Sequence, residues 1–314
     1  MDNAVAVQAY LAELAEQRRQ STHTLSNYGR DLERLLQAAA ERPLADFDTL
    51  AVRRQVAQLH GQGLSGRSLA RLLSAWRGFF KWLLQRGLVP ANPCVGIKAP
   101  KSPKRLPRAL SVEETLGLLD QTPDTGDERL NRRDQAMFEL FYSSGLRLAE
   151  LASLNLDVLE GMLVEGEVRV LGKRSKVRLV PVGSKAREAL AAWAAVRQQL
   201  AAPEEPALFV SQRGSRLSLR MIQERLRLRA LQAGITIRVH PHMLRHSFAS
   251  HVLQSSGDLR AVQEMLGHAS IASTQVYTHL DFQHLAQVYD LAHPRARRGS
   301  NSPGPVADET AAKD

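Results

Sequence analysis

The sequence contains a single cysteine, Cys94, among 314 residues. One thiol cannot form an internal disulfide or a thiolate cluster, so disulfide scaffolds and cysteine-based zinc sites are excluded. The chain also lacks a run of about 18 apolar residues, so we expect no membrane span. Its first residues, MDNAVAVQAYLAELAEQRR, are acidic early and amphipathic, unlike a signal peptide, and we therefore expect a cytoplasmic protein.

Acidic residues are in deficit, since Asp and Glu number 32 against 42 Lys and Arg, for a formal net charge of +10. A positive surface field favours a polyanionic partner, and nucleic acid is the commonest one. The alternative is a basic surface that is only solvated. With 44% hydrophobic residues and 314 positions, the chain is long enough for two domains that each bury a core.

The first hundred residues show the period of helices. Apolar residues recur at helical spacing in TLSNYGRDLERLLQAAA and in SLARLLSAWRGFFKWLLQRG. With further helices near 4–17 and 49–60, these segments predict a four-helix domain over residues 1–97. The aromatic residues of the second segment are expected in the core rather than as a ligand platform: Trp76, Phe79, Phe80 and Trp82.

A linker follows at residues 98–109, within the stretch IKAPKSPKRLPRAL. This stretch has five basic residues, three prolines and no acid. Proline removes backbone donors and stiffens the chain, so we expect an exposed connection that is suited to lie on phosphates.

A second domain is predicted over residues 110–297, with a polar tail at 298–314. Ser111 and Glu114 form a capping-box pattern that starts its first helix. A longer helix breaks at SSG and resumes, and EVRVLGKRSKVRLVPVG changes to the period of a β-hairpin. The fold class is therefore mainly α with a small β-sheet, α+β. Further helices are predicted near 184–200, 219–233, 242–254, 259–266 and 282–292.

Four histidines lie in HPHMLRHSFASH, and the spacing of His240, His242 and His246 raises the possibility of a metal site. A zinc-protease helix needs glutamate directly after its first histidine, but Met243 follows His242. The string HPH also resembles the metal motif of rolling-circle nucleases, whose third ligand is not evident here. A better interpretation places His242 and Arg245, three apart, on one helix face toward an anion. A surface ion-pair helix is the alternative.

Arg147 follows Gly145 at the helix break, where free backbone donors and a guanidinium could bind phosphate. Alternatively, Arg147 pairs with Glu150 on the surface. The segment LGKRSKVR is not a phosphate loop, because its glycine spacing is wrong and Arg174 stands where Ser or Thr is required. Lys173 at a hairpin tip could nevertheless deliver a proton.

Another helix ends at Gly267, just before His268, and Tyr277 follows nine positions later. Arg147, Lys173, HMLRH, LGH and Tyr277 then stand in the order found in the tyrosine recombinases, the phage integrase family, which the chain resembles over nearly its whole length. LQSSGDLRAVQEMLGH and YTHLDFQHLAQVYDLAHPRA are similar to the bacterial Xer branch. The resemblance implies an N-terminal SAM-like core-binding domain and a C-terminal catalytic domain that form a C-shaped clamp on DNA.

The resemblance also implies a mechanism without metal or other cofactor. Tyr277 would attack the scissile phosphate and form a 3′-phosphotyrosyl bond, and that ester would let religation proceed without ATP. Lys173 would be the general acid, and His242 would assist proton transfer from the phenol, whose ordinary pKa is near 10. The family usually has glycine where Arg174 stands, which leaves the reach of Lys173 open. Three further residues would contact the phosphoryl oxygens: Arg147, Arg245 and His268.

The partners implied by the resemblance are double-stranded DNA and a sister recombinase. Two protomers of each would join two dif-like sites through a Holliday junction and resolve chromosome dimers at the nucleoid, with a DNA translocase as a further partner. A type IB topoisomerase and a non-catalytic DNA-binding protein remain alternatives. The amphipathic segment DFQHLAQVYDLAHP would dock on a neighbouring protomer or on its own domain. Four arginines of one helix are candidate DNA contacts: Arg220, Arg225, Arg227 and Arg229.

Overall fold

The chain divides into two units, Met1–Arg105 and Leu106–Asp314. The computed structural model describes residues 2–16, 22–40, 42–101, 108–121, 126–171, 177–267 and 279–295. Half of the predicted linker, residues 102–107, and the whole of the tail at 298–314 lie outside these ranges. In the described part of the chain, no helix has the length and apolar character needed to cross a membrane.

The first unit contains the four helices that the sequence predicts: α1 (Asn3–Glu16), α2 (Thr22–Ala39), α3 (Thr49–Gly61) and α4 (Gly66–Gln85). Asp48 and Ser65 accept hydrogen bonds from the first turns of α3 and α4, which fixes where those helices begin. The aromatic residues of α4 are buried in the core, as expected, and pack against α1 and the segment before α3.

A buried carboxylate joins α2 to α4. Asp31 is fully buried, and Arg71 of α4 donates to its Oδ2 at 2.5 Å. The indole of Trp76 donates to the Asp31 carbonyl at 2.7 Å. Burial raises the pKa of the Asp31 carboxyl more strongly than Arg71 and the other nearby arginines lower it.

The second unit begins with α5 (Val112–Asp120), whose predicted capping box between Ser111 and Glu114 is confirmed by both hydrogen bonds. The predicted break also appears, because α6 (Glu128–Ser143) ends and α7 (Leu148–Ser153) resumes after four residues. The remaining helices are α8 (Leu159–Val164), α9 (Ser184–Arg197), α10 (Leu219–Gln232), α11 (Pro241–Ser256), α12 (Leu259–Leu266) and α13 (His279–Ala292).

The predicted hairpin is present as β1 (Glu167–Leu171) and β2 (Val177–Pro181), which pair antiparallel. Val168 faces Val180, and Val170 faces Arg178, and all four are buried. The inward face of the hairpin therefore carries an arginine among valines. The outermost pair, Leu171 with Val177, is exposed at the end that carries residues 172–176.

Helix α11 contacts α5, α6, α12 and α13 and so occupies the middle of the second unit. Ser247 and His251, one turn apart on α11, bond the backbone N–H and C=O of Leu110, which fastens the entry of the unit to this helix. Helix α13 packs on α11 and β2 of its own unit. Its Tyr289 hydroxyl lies 2.6 Å from the Ser143 hydroxyl.

Candidate active site

Arg147 lies at the break between α6 and α7 and is the N-cap residue of α7. Its backbone N–H donates to Oε2 of Glu150 and its Nη1 donates to Oε1, both at 2.7 Å. The turn before it requires glycine, because Gly145 has φ +52° and an added Cβ would lie 2.3 Å from the Phe248 ring. The Arg147 side chain keeps 29% of its surface exposed, so the guanidinium remains accessible.

Arg245 lies in the second turn of α11, which starts at Pro241. Its Nη1 donates to the Gly145 carbonyl at 2.6 Å, and its Nη2 donates to the Leu266 carbonyl at 2.5 Å. Burial, together with the neighbouring Arg147 and Arg178, lowers the pKa of Arg245 to about 9, so the group is still mostly charged at neutral pH.

Both arginines converge on the C-terminal end of α12. Nη2 of Arg147 lies 3.3 Å from the carbonyls of Leu266 and Gly267, and Arg245 shares the Leu266 carbonyl. Gly267 caps the helix in the left-handed conformation, as its place after the periodic segment predicted. His268 is the next residue along the chain, so the described part of the site ends where the predicted histidine begins.

Glu150 is the centre of this cluster and is only 7% exposed. Its ion pair with Arg147 does form, but as part of a buried cluster and not as a pair on the surface. Its two oxygens accept hydrogen bonds from Arg147 and Arg178, and Nη1 of Arg245 lies 3.9 Å away. Burial alone would raise the pKa of Glu150, but the hydrogen bonds and charges of Arg178 and Arg147 lower it to about 2. Three guanidinium groups around one carboxylate leave a net positive charge that suits an anion.

Sequence reasoning missed Arg178, which is 4% exposed and lies on the inward face of β2. Its Nη1 and Nη2 donate to the two oxygens of Glu150 at 2.9 and 2.8 Å, and its Nε donates to the Met265 carbonyl at 3.0 Å. The alternation of the strand contained a signal, because Arg178 occupies the phase of the buried Val180.

His242 is exposed in the first turn of α11, on the same helix as the buried Arg245. Its ring centroid lies 6.3 Å from that of His240. The last of the four histidines, His251, is structural, because it is buried between the Tyr142 hydroxyl at 2.8 Å and the Leu110 carbonyl at 3.0 Å. Among the residues that the structure describes, no group of three His, Cys, Asp or Glu side chains could hold a metal ion.

Three of the six predicted site residues, Lys173, His268 and Tyr277, lie outside the described residues. Their flanks are described: Lys173 falls between the paired ends of β1 and β2, and Tyr277 falls between Gly267 and the start of α13. The described part of the site thus brings together Arg147 and Arg245 and joins them to the strand that follows Lys173 and to the helix that precedes His268.

Arg229, one of the four candidate DNA contacts on α10, is not available to DNA. This side chain is 1% exposed and donates to the carbonyls of Leu118, Leu119 and Gln121 at the end of α5. Arg225 is held by the buried Asp134, and Arg227 pairs with Glu224 at the surface. The last carbonyls of a helix have no partner within the helix, and those of α5 accept hydrogen bonds from Arg229. The Arg229 guanidinium is therefore not free to bind a phosphate.

The sequence model described as "Phage integrase family" matches residues 109–284, a range that includes all six predicted site residues. A second model, "Phage integrase, N-terminal SAM-like domain", matches residues 7–87. The chain is similar to the tyrosine recombinase XerC of Ralstonia pickettii (strain 12J), with 58% identity over 93% of this chain and 94% of that protein. It is also 55% identical to the tyrosine recombinase XerC of Pseudomonas aeruginosa PAO1 over 94% of this chain and 97% of that protein.

Two solved structures share the fold. A lambda integrase dimer bound to a COC′ core site superposes with a TM-score of 0.68 at 19% identity, covering 88% of this chain and 100% of that one. The XerH site-specific recombinase, in a post-cleavage complex with a palindromic difH substrate, gives 0.68 at 23% identity over 87% of this chain and 81% of that one.

Proposed function

The chain belongs to the phage integrase family of tyrosine recombinases, which are DNA strand-exchange enzymes, and from this premise we propose how its own residues perform site-specific recombination. Tyr277 is the nucleophile that forms a 3′-phosphotyrosyl bond with DNA. One observation carries the proposal: Arg147 and Arg245 meet at the end of α12 in a cluster of net positive charge, one residue before His268.

The cluster supplies what phosphoryl transfer needs. Breaking a phosphodiester requires a nucleophile, a proton donor for the leaving 5′ oxygen and positive charge around the developing phosphorane. Arg147 and Arg245 provide that charge as preorganised guanidinium groups, and His268 hydrogen-bonds a phosphoryl oxygen. His242 assists removal of the Tyr277 proton, and Lys173 protonates the leaving oxygen. Because the phosphotyrosyl ester conserves the bond energy, religation consumes no ATP.

The two units have different tasks in this proposal. Residues 1–97 form a core-binding domain, residues 98–109 a linker and residues 110–297 the catalytic domain, and each of the two domains binds DNA. The division of the chain at Arg105 and the separate family matches on either side support this assignment. Phosphate contacts would make DNA binding steeply dependent on salt.

The similarity to XerC proteins supports a proposal for the biological setting. The DNA is a dif-like recombination site, and two protomers act with two of an XerD-type sister recombinase through a Holliday junction. This reaction resolves chromosome dimers during cell division, at the nucleoid in the cytoplasm, with an FtsK-type translocase as a further partner.

The decisive experiment uses a nicked suicide substrate, on which a cleaved strand cannot be religated. The wild-type protein is expected to give a covalent protein–DNA band on a denaturing gel, with or without EDTA, and Tyr277→Phe is expected to give none while still shifting the DNA on a native gel. A covalent band from Tyr277→Phe would overturn the assignment of the nucleophile.

A second pair of assays separates the recombinase from its rivals. We expect recombination between two dif-like sites when the sister protein is present. Relaxation of a supercoiled plasmid without recombination would indicate a type IB topoisomerase, and activity that EDTA abolishes would indicate a metal-dependent nuclease. Binding of DNA with no covalent product would leave only a DNA-binding protein.

A further inference from the structure

Arg178 forms hydrogen bonds with α7 and with the end of α12, the two helix ends at which Arg147 and Arg245 meet. Its fork donates to the two oxygens of Glu150, and its Nε donates to the last turn of α12 through the Met265 carbonyl. With 4% exposure, the side chain has no access to solvent and so no direct route to a ligand. Its effect on the reaction must therefore act through these two neighbours.

The first neighbour controls the charge at the site. Glu150 is a buried carboxylate that must be neutralised. Among the described residues, Arg147 and Arg245 are the other cations within 4 Å of it. Arg178 bonds both oxygens at once at 2.8–2.9 Å, whereas Nη1 of Arg245 lies 3.9 Å away, so Arg178 compensates the negative charge more closely than Arg245 does. Without Arg178, the carboxylate would draw more strongly on Arg147 and Arg245, and fewer of their donors would be directed at a phosphate.

The second neighbour, the last turn of α12, controls the position of the carbonyls that bind Arg147 and Arg245. An added Cβ on Gly267 would lie 3.0 Å from Cδ of Arg178, so the helix cap rests directly on this side chain. The carbonyls of Leu266 and Gly267, which receive Arg147 and Arg245, belong to the same turn. Arg178 thus holds the acceptors of both arginines and the backbone that leads into His268. It also anchors β2 five residues after Lys173.

We infer that Arg178 is a positioning residue for strand cleavage, which neutralises Glu150 and fixes the end of α12 so that Arg147 and Arg245 direct their donors at the scissile phosphate. The inference rests on the proposed function, since it assumes that these two arginines contact the phosphate. It adds to that function a residue that touches neither DNA nor the reacting atoms.

The test compares two buried arginines of the same unit. Arg178→Met keeps the aliphatic stem and removes the guanidinium. Arg229→Met does the same to a side chain that binds three carbonyls at the end of α5 and the Gln135 side chain of α6, away from Glu150. Both variants are assayed as the full chain at a temperature where each remains folded by circular dichroism. The measurements are the DNA dissociation constant and the single-turnover cleavage rate at saturating suicide substrate.

For Arg178→Met we expect a loss of about 100-fold or more in cleavage rate, the usual effect of misplacing a preorganised donor, with DNA affinity within about threefold of wild type. Arg229→Met is expected to lower the melting temperature but to keep the cleavage rate within about threefold. Equal cleavage rates for the two variants would overturn the inference and leave Arg178 as a structural residue only. If the proposed function itself fails, the wild-type protein gives no covalent product, which is a distinct outcome.

Arg178→Lys serves if Arg178→Met does not fold. It keeps the charge, but one ammonium cannot bond both Glu150 oxygens and the Met265 carbonyl in the geometry of the fork. We expect its cleavage rate to fall well below that of wild type while its DNA affinity is retained. A wild-type rate for Arg178→Lys would show that the bidentate geometry is unimportant, against the inference.

Discussion

The two units of this chain use arginine in opposite ways. In the described part of the first unit, Asp31 is the one buried charged side chain, and the core is built from aromatic and aliphatic groups. The described part of the second unit buries six arginines, which bind carboxylates or backbone carbonyls: Arg133, Arg178, Arg197, Arg229, Arg245 and Arg295.

The difference shows that the same residue type can serve either as surface charge or as part of the buried framework. Where arginines stay on the surface, as Arg53, Arg54 and Arg67 do, their removal leaves the core intact and changes only the external charge. Where arginines are buried, the same guanidinium groups hold helix ends in place and supply the positive charge of the site. Substitutions in the second unit should therefore affect folding and cleavage together, unless the side chain lies away from Glu150.

The largest expected effect concerns the aromatic core of the first unit. Phe79→Ala should lower the free energy of unfolding by about 3–5 kcal/mol, because a fully buried ring is lost and a cavity remains. The measurement is urea denaturation followed by circular dichroism. Leu84→Ala on the same helix is the control, since Leu84 is 42% exposed and should cost far less. Similar losses for both variants would contradict a stability based on the buried aromatic residues.

The next effect is a difference in how the two buried carboxylates, Glu150 and Asp31, make the stability of the fold depend on pH. The pKa of Glu150 is lowered to about 2, so its ionised form stabilises the fold by about 3 kcal/mol at neutral pH, and this contribution is lost as the pH falls from about 4.5 toward 2. The difference in unfolding free energy between the wild type and Glu150→Gln should therefore shrink between pH 5 and pH 3.

For Asp31 we expect the unfolding free energy to depend on pH in the opposite direction. Burial raises its pKa, so protonation favours the folded state and the advantage of the wild type over Asp31→Asn should grow as the pH falls through the same range. Denaturant titrations at several pH values measure both differences. Parallel slopes for the two variants would mean that the two carboxylates do not differ in the way that their surroundings require.

The smallest effect compares two arginines of α10. Arg227 forms an exposed pair with Glu224, so Arg227→Gln should leave the free energy of unfolding almost unchanged. Arg229→Gln should cost about 1–3 kcal/mol, because buried carbonyls at the end of α5 lose their donor. Thermal unfolding of the two variants measures this difference in stability. Equal melting temperatures would show that the buried hydrogen bonds of Arg229 contribute nothing to stability.

Much of the fold could be predicted because its signals are local. The capping box at Ser111, the break at Gly145, the hairpin and the cap at Gly267 each depend on residues within a few positions of one another. The burial of Arg229 could not be predicted, because its acceptors are about 110 positions earlier in the chain. Its helix has arginines on several faces, so periodicity alone could not identify the buried one.

The sequence by itself predicted a set of reactive side chains and their order, because a nucleophile, an acid and phosphate-binding groups each require particular residue types. It also determined the family, which the comparisons confirm. Only the tertiary structure decided which arginines gather in the charged cluster of the candidate site and which bind backbone carbonyls elsewhere in the fold. Glu150 gathers Arg147, Arg178 and Arg245 from three separate elements, and a buried carboxylate attracts whichever cations folding brings within reach. That choice depends on distances in space between residues far apart in the chain.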